Sequence, residues 1–195
     1  MADPVLHVIA GPNGAGKTTF YLRVLRPTTH LDFVNADVIA AERWPDSVGE
    51  HGYDAAELAA AERDQRIRAG RSFATETVFS HESKLSLLAQ ADAAGYLVSL
   101  HIVLIPEDLA VARVINRVAN GGHHVPEDKV RSRYGRLWGH LGDAVSLVDD
   151  ARVYDNTRAA EPFRLVATYL DGRVTGDPQW PSWSPPELKA AGRRP

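Results

Sequence analysis

The residues best suited to chemistry form one glycine-rich segment near the amino terminus, which matches the phosphate-binding pattern G-x-x-x-x-G-K-[ST] at every position. Its members are Gly11, Pro12, Asn13, Gly14, Ala15, Gly16, Lys17 and Thr18. Glycines in such a loop let successive backbone N–H groups point into one concavity that holds phosphate oxygens. The lysine can reach the β- and γ-phosphates, and the threonine hydroxyl can ligate Mg²⁺. The segment therefore predicts a binding site for a nucleoside triphosphate.

The elements around this loop are those that such a site requires. Residues 5–10 form a short, β-branched, mostly apolar run that predicts a buried strand, and residues 19–25 predict a helix. In this order the amino terminus of the helix adds the positive end of its dipole to the site. A glycine-rich turn that merely joins strand to helix is the alternative, but Lys17 and Thr18 would have no purpose in it.

Two carboxylates are predicted to lie beside the loop. Asp37 stands where the second predicted strand, 31–37, gives way to a helix, and Glu76 and Thr77 end the third predicted strand, 72–77. The carboxyl ends of strands in an open α/β sheet face the ligand crevice. A carboxylate there can orient an acceptor hydroxyl and take its proton. Asp37 could instead cap its helix, or do both.

A basic stretch later in the chain contrasts with the overall net charge of −3. Between residues 113 and 136, six basic residues stand against two acidic ones. Because arginine forks suit transferring phosphoryl groups, Arg117, Arg131 and Arg133 are candidates for a phosphate clamp in a helical lid over about residues 107–140. Residues two apart on a helix point about 200° apart, so the sequence leaves Arg131 and Arg133 as alternatives. A solvated basic helix is the other interpretation.

The sequence as a whole predicts an α/β domain. Its 195 residues, 44% of them hydrophobic, suffice for a sizeable core. The apolar run 96–105 is typical of a central parallel strand, and His101 within it is predicted to be a core or edge histidine rather than a ligand. Residues 1–175 are predicted to form the domain. Residues 176–195 are predicted to form a Pro/Trp-rich tail without a helix, whose tryptophans could dock on the body.

Composition disfavours several classes of partner. The sequence pI of about 6.2 gives no overall basic footprint for nucleic acid or an anionic membrane. The absence of cysteine excludes disulfides and Cys-ligated metals. No apolar run reaches the ~18 residues of a membrane span, and no signal-peptide pattern is present. We therefore expect a cytoplasmic protein with neither a membrane nor a nucleic-acid partner.

The type of reaction follows from what accompanies the loop. Transporter-type ATPases share the loop, but their Leu-Ser-Gly-Gly-Gln signature is absent, and no apolar strand ends in Asp-Glu to position a water. A polar residue at the end of the second strand, together with an arginine-rich helical lid, indicates a kinase of small molecules. In such enzymes the lid closes to exclude water, so that phosphate goes to the substrate. The predicted fold is a doubly wound, mainly parallel sheet of the P-loop kinase type, with helices on both faces.

A series of segments in one order resembles the zeta-toxin family over roughly residues 4–170. The segments are Gly11-Pro12-Asn13-Gly14-Ala15-Gly16-Lys17-Thr18-Thr19, Phe33-Val34-Asn35-Ala36-Asp37, Ser72-Phe73-Ala74-Thr75-Glu76-Thr77, Arg117-Val118 leading to Gly121-Gly122-His123, Val125-Pro126, Arg131-Ser132-Arg133-Tyr134 and Val153-Tyr154-Asp155-Asn156. The chain is shorter than the plasmid toxins and has Asn-Ala-Asp where they carry a more acidic stretch. It is similar to the compact chromosomal branch.

The resemblance implies a kinase that moves the γ-phosphate of ATP, with Mg²⁺, onto a hydroxyl of UDP-N-acetylglucosamine, and an antitoxin as a possible partner. It implies that residues 11–19, up to and including Thr19, bind ATP, and that Thr18 ligates the Mg²⁺ ion. It also implies Asp37 as the base, and Arg117 with Arg131 or Arg133 as the clamp. The implied contacts to the sugar nucleotide are Asn35, Glu76 and Thr77. A kinase of another nucleotide or an RNA end, and a regulatory ATPase, are the alternatives.

Overall fold

The computed structural model describes residues 3–119 and 125–192, and their strands form one seven-stranded sheet. The strands are β1 (Val5–Ala10), β2 (Phe33–Val34), β3 (Phe73–Thr77), β4 (Leu97–Leu104), β5 (Asp150–Asp155), β6 (Arg164–Leu170) and β7 (Arg173–Thr175). Their spatial order is β2-β3-β1-β4-β5-β6-β7. The four pairs β2–β3, β3–β1, β1–β4 and β4–β5 are parallel. The pairs β5–β6 and β6–β7 are antiparallel. The predicted, mainly parallel α/β sheet is confirmed.

Helices connect the parallel strands. They are α1 (Lys17–Phe20), a π-helical segment (Tyr21–Leu25), α2 (Arg26–Thr29), α3 (Ala36–Arg43), α4 (Gly52–Arg68), α5 (Ser83–Ala93), α6 (Glu107–Ala119), α7 (Glu127–Ala144), a 3₁₀ turn (Val145–Leu147) and α8 (Pro186–Ala190). In the described part of the chain, no helix is both long and apolar enough to cross a membrane. The Gly121-Gly122-His123 segment of the sequence resemblance lies outside the described residues.

The core lies on both faces of the sheet. Leu6 and Val8 of β1 pack on one face with residues of α5 and α7, and Ile9 packs on the other with Phe20 and residues of α6. Burial on both faces explains the nearly continuous apolar character of the central strands. His101 on β4 is 1% exposed, and its Nε2 lies 2.9 Å from His7 Nδ1. Burial lowers the pKa of His101 to about 3, as expected for a neutral core histidine.

The second strand is shorter than predicted because a helix cap replaces its end. Only Phe33 and Val34 pair with β3. The Asn35 side chain then accepts hydrogen bonds from Asp37 N at 2.6 Å and Val38 N at 3.3 Å, which begins α3. Residues predicted to extend the strand therefore form the first turn of a helix. This capping role belongs to Asn35 rather than to Asp37.

The carboxyl-terminal segment packs on the domain and contains a helix, so the prediction of a helix-free tail was wrong. Pro186 occupies the first turn of α8, where a missing N–H costs no helical hydrogen bond. Leu188 is fully buried, and Tyr169 Oη donates to its carbonyl at 2.7 Å. Trp180 and Trp183 also pack against the core.

Helix α7 lies within the predicted lid of about 107–140 and contributes to both the core and the cleft. Leu137, Trp138 and Leu141 are buried in the main core, so the second half of α7 is anchored there. Val130 packs on the opposite core with α6. Helix α6 is also packed in that core through Ala110, Val111 and Val114, so a lid over this region stays a prediction.

Candidate functional site

The phosphate loop runs from β1 into α1 and depends on glycines for its shape. Gly11, Gly14 and Gly16 have φ values of 148°, 75° and 90°, which L residues rarely adopt. A Cβ atom at Gly11 would lie 2.4 Å from the Val103 carbonyl oxygen, and one at Gly16 would lie 2.8 Å from Asn156 Nδ2. Both backbone conformation and close packing therefore require glycine here. Successive N–H groups can turn into one concavity as a result.

Lys17 is held within this concavity by the loop itself. Its side chain is buried, and its Nζ donates to the carbonyl oxygens of Gly11 at 3.1 Å and Pro12 at 3.0 Å. Burial lowers the pKa of Lys17, and the negative charges of Glu76 and Asp37 oppose that shift. The ammonium thus lies in a poorly solvated position close to two carboxylates, where its attraction for phosphate oxygens is strong.

Glu76 contacts the phosphate loop directly. Register places it opposite Ile9 at the end of β3, and Thr18 Oγ1 donates to its Oε2 at 2.8 Å. Burial raises the pKa of Glu76, whereas the charge of Lys17 and the Thr18 hydrogen bond lower it. The sequence resemblance implied contact with the acceptor, but the structure ties this carboxylate to the predicted metal-binding hydroxyl.

Asp37 lies across the cleft in the first turn of α3. Because Asn35 supplies the cap, the carboxylate of Asp37 is not used for capping, and its side chain is exposed to the cleft. Its charge raises the pKa of both Lys17 and Glu76, so the three groups share one electrostatic environment. The Asn35 side-chain oxygen is committed to the α3 cap, so Asn35 positions Asp37.

The structure separates the two arginines that the sequence left as alternatives. Arg133 lines the cleft with Arg117, and both lower the pKa of Lys17. Arg131 is instead held by three acidic side chains away from the cleft, with N–O distances of 2.9 Å to Glu127, 3.1 Å to Asp108 and 3.4 Å to Glu107.

The cleft has a volume of about 700 Å³, within the range of small-molecule sites. Most of the predicted site residues line it: Asn13, Gly14, Gly16, Lys17, Thr18, Thr19, Asn35, Asp37, Glu76, Thr77, Arg117 and Arg133. Gly11, Pro12 and Ala15 are buried members of the loop that do not line the cleft, and Arg131 does not line it either.

Four residues that the sequence did not assign to the site also lie at or beside the cleft. Arg113 donates to the carbonyl oxygens of Asn156 at 2.9 Å and Gly14 at 3.4 Å. Asn156 Nδ2 donates to the Ala15 carbonyl at 2.8 Å. Asn156 follows the carboxyl end of β5, the same signal that selected Asp37. Arg63 and Lys84, in contrast, are helix residues that no local pattern distinguishes.

The donors beside Thr18 fit a magnesium ion. A hydroxyl and the carboxylates of Glu76 and Asp37 are hard oxygen ligands, and Mg²⁺ in phosphate sites takes one or two carboxylates together with phosphates and waters. Over residues 3–119 and 125–192, no group of three or more His, Asp or Glu side chains is arranged to hold a metal alone. In a nucleotide complex, phosphate oxygens and waters would supply the remaining ligands.

Known proteins are similar to this chain in sequence or in fold. A protein of Haemophilus influenzae, described as uncharacterized, is 30% identical over 125 residues, which are 64% of this chain and 88% of that protein. The AvrRxo1-ORF1:-ORF2 complex with ATP matches with a TM-score of 0.67 and 18% identity over 89% of this chain. This chain spans 60% of the length of that one.

Two further solved structures extend the comparison. The PezAT chromosomal toxin–antitoxin system of Streptococcus pneumoniae matches with a TM-score of 0.58 and 15% identity, over 82% of this chain and 71% of the other. Shikimate kinase from Acinetobacter baumannii matches with a TM-score of 0.52 and 16% identity, over 80% of this chain and 86% of the other. At these identities the similarity shows the fold, which is that of P-loop kinases.

The sequence itself matches a family model described as AAA domain over residues 6–136. This range begins in β1, contains the phosphate loop and ends within α7. The match covers the phosphate loop of a fold that this chain shares with the solved kinase structures. The chain belongs to this AAA domain family.

Proposed function

We propose that this protein is an ATP-dependent phosphotransferase that moves the γ-phosphate of ATP onto a hydroxyl of UDP-N-acetylglucosamine or a related sugar nucleotide. One observation carries the proposal: a single cleft places Asp37 and Glu76 beside Lys17 and Thr18 of the phosphate loop. Asp37 neither caps its helix nor belongs to the loop, and its exposed carboxylate faces the cleft, where it could take the proton of an acceptor hydroxyl.

The proposed reaction breaks the bond between the γ-phosphorus and its bridging oxygen and forms a bond from that phosphorus to the acceptor oxygen. ADP leaves, and Asp37 accepts the hydroxyl proton. Lys17, Arg117 and Arg133 offset negative charge on the phosphates as the γ-phosphoryl group moves. A bound Mg²⁺ would supply further charge neutralisation at the β- and γ-oxygens. Thr18 and Glu76 are the side chains placed to hold it.

Several lines support a zeta-toxin-like enzyme of the compact chromosomal type. The ordered sequence segments resemble that family, and one of the matched structures is a toxin–antitoxin system. An antitoxin partner is part of the same proposal. A cytoplasmic location suits both ATP and a sugar nucleotide as substrates.

Product analysis tests this function. The purified protein is incubated with γ-labelled ATP, Mg²⁺ and a panel containing UDP-N-acetylglucosamine, other nucleotides and RNA with free ends. We expect label on the sugar nucleotide and little inorganic phosphate. Label on another nucleotide or on RNA ends would indicate the alternative kinase. Release of inorganic phosphate without any labelled acceptor would indicate an ATPase and contradict the proposal.

Replacement of Lys17 tests the triphosphate site. We expect Lys17→Ala to weaken ATP binding by about 10- to 100-fold, since hydrogen bonds to charged groups are worth ~1.5–3 kcal/mol, and to lower turnover as well. The melting temperature should change little, because burial already disfavours the charged form of this lysine. Lys17→Met, which keeps most of the side-chain volume, should show the same losses as Lys17→Ala. Equilibrium binding of ATP and thermal unfolding are the measurements, and normal transfer by either variant would contradict the assignment.

A further inference from the structure

The cleft carries more positive charge than a triphosphate site alone accounts for. Six basic side chains and two carboxylates line it, although the whole chain has a net charge of −3. Lys17, Arg117 and Arg133 belong to the phosphate loop and the arginine clamp, and Arg113 is bonded to the loop itself. Two cations, Arg63 and Lys84, have no role in that arrangement.

Arg63 and Lys84 line the same cleft. Arg63 is on α4 and Lys84 is in the first turn of α5, and both are half-buried. The charge of Arg63 lowers the pKa of Lys84, and burial lowers the pKa of both groups. Two like charges in a partly desolvated position repel each other unless an anion lies between them.

No acidic side chain in the described part of the chain neutralises this pair. No ion pair or side-chain hydrogen bond involves Arg63 or Lys84 within residues 3–119 and 125–192. The acid that acts on Arg63 is Glu62, whose carboxylate is bound to Arg66 at 2.9 Å. Arg66 and Arg68 on the same helix do have carboxylate partners, in Asp32 and Asp64. On α4, Arg63 therefore differs from Arg66 and Arg68, which are paired with carboxylates.

Topology places this pair on one side of the phosphate loop. In the sheet order, α4 packs beside β2, and α5 begins shortly after β3, on one side of the loop that follows β1. Arg113 and Asn156 lie on the other side, beside β4 and β5. Asp37, the proposed base, is on α3, which packs against α4. Arg63 and Lys84 thus lie on the same side of the loop as the proposed base.

We infer that Arg63 and Lys84 form an anion subsite for the acceptor and that the acceptor carries a diphosphate. This inference rests on the proposed function, which makes the second ligand the phosphoryl acceptor. A guanidinium fork and an ammonium together offer two positive charges and several donors, which match a diphosphate better than a single carboxylate. The acceptor hydroxyl would then extend from this anchor toward Asp37.

Binding measurements with the triphosphate site filled by a non-hydrolysable ATP analogue test the subsite. The probes are UDP-N-acetylglucosamine, inorganic pyrophosphate and neutral N-acetylglucosamine, measured by calorimetry. We expect Arg63→Gln and Lys84→Gln each to weaken binding of the two phosphate probes by about 10-fold or more, and the double variant to weaken it further. Affinity for the ATP analogue and the melting temperature should be unchanged. Arg68→Gln, an exposed and ion-paired control on the same helix, should bind like the wild type.

The outcomes separate the subsite from the proposed function. If the wild type phosphorylates no sugar nucleotide, yet the two substitutions still weaken binding of the phosphate probes, the function fails and the subsite stands. Unchanged binding in the double variant would overturn the subsite. So would equal affinity for N-acetylglucosamine and its UDP conjugate. A matching loss of ATP-analogue affinity would assign Arg63 and Lys84 to the triphosphate site and also overturn it.

Discussion

Arg133→Ala is expected to lower turnover by about 10³- to 10⁵-fold, the range measured for arginines that stabilise a transferring phosphoryl group. Arg133 lines the cleft from the first half of α7, and its charge acts on Lys17. An arginine that meets the phosphoryl group mainly in the transition state lowers the barrier more than it strengthens ground-state binding. Affinity for ATP should therefore fall far less than turnover does.

Arg131→Ala is the matched control, because it removes the same side chain two residues away on the same helix. Arg131 is paired with acids outside the cleft, and its loss should leave turnover nearly unchanged. Single-turnover rates and ATP binding measured on both variants give the comparison. A large loss of turnover in Arg131→Ala, together with normal turnover in Arg133→Ala, would reverse the assignment. A loss confined to Arg117→Ala would instead place the clamp on α6.

Asp37→Asn is expected to lower turnover by about 10²- to 10⁴-fold, the usual contribution of a general base. The substitution keeps the size and polarity of the side chain but removes the proton acceptor. Since Asn35 rather than Asp37 caps α3, the helix should remain intact. ATP affinity should be nearly unchanged, and the melting temperature provides the check on folding.

Glu76→Gln distinguishes the second carboxylate from the first. Glu76 accepts a hydrogen bond from Thr18, so its replacement should raise the Mg²⁺ concentration needed for half-maximal rate and the KM for the acceptor. A rate restored by high Mg²⁺ and acceptor in Glu76→Gln, but not in Asp37→Asn, is the expected contrast. If Asp37→Asn turned over normally and Glu76→Gln lost its rate at every concentration, Glu76 would be the base.

The phosphate loop and the alternation of strands and helices could be predicted from the sequence because both are local. The loop is one contiguous segment whose glycines serve its own backbone, and β1 matches the predicted range 5–10. The central strands are recognisable because burial on both faces demands continuous apolar runs. The position of the carboxyl end of β3 beside the cleft could be predicted too, since the carboxyl ends of parallel strands meet at one edge of the sheet.

The direction of each helical side chain, in contrast, was decided by tertiary packing. Burial of Val130, Leu137 and Leu141 fixes the rotation of α7, which places Arg133 beside the cleft and Arg131 toward Glu107 and Asp108. Spacing along the sequence gives the angle between two side chains but not which of them faces the site.

Contacts between distant segments were likewise decided only by the tertiary structure. The bond from Thr18 to Glu76 spans 58 residues, and the one from Asn156 to Ala15 spans 141. Arg63 and Lys84 carry no local pattern that sets them apart from other charged residues on exposed helices. Whether a charge faces solvent or a cleft depends on which elements pack beside it, and that packing is set by the burial of apolar groups elsewhere in the chain.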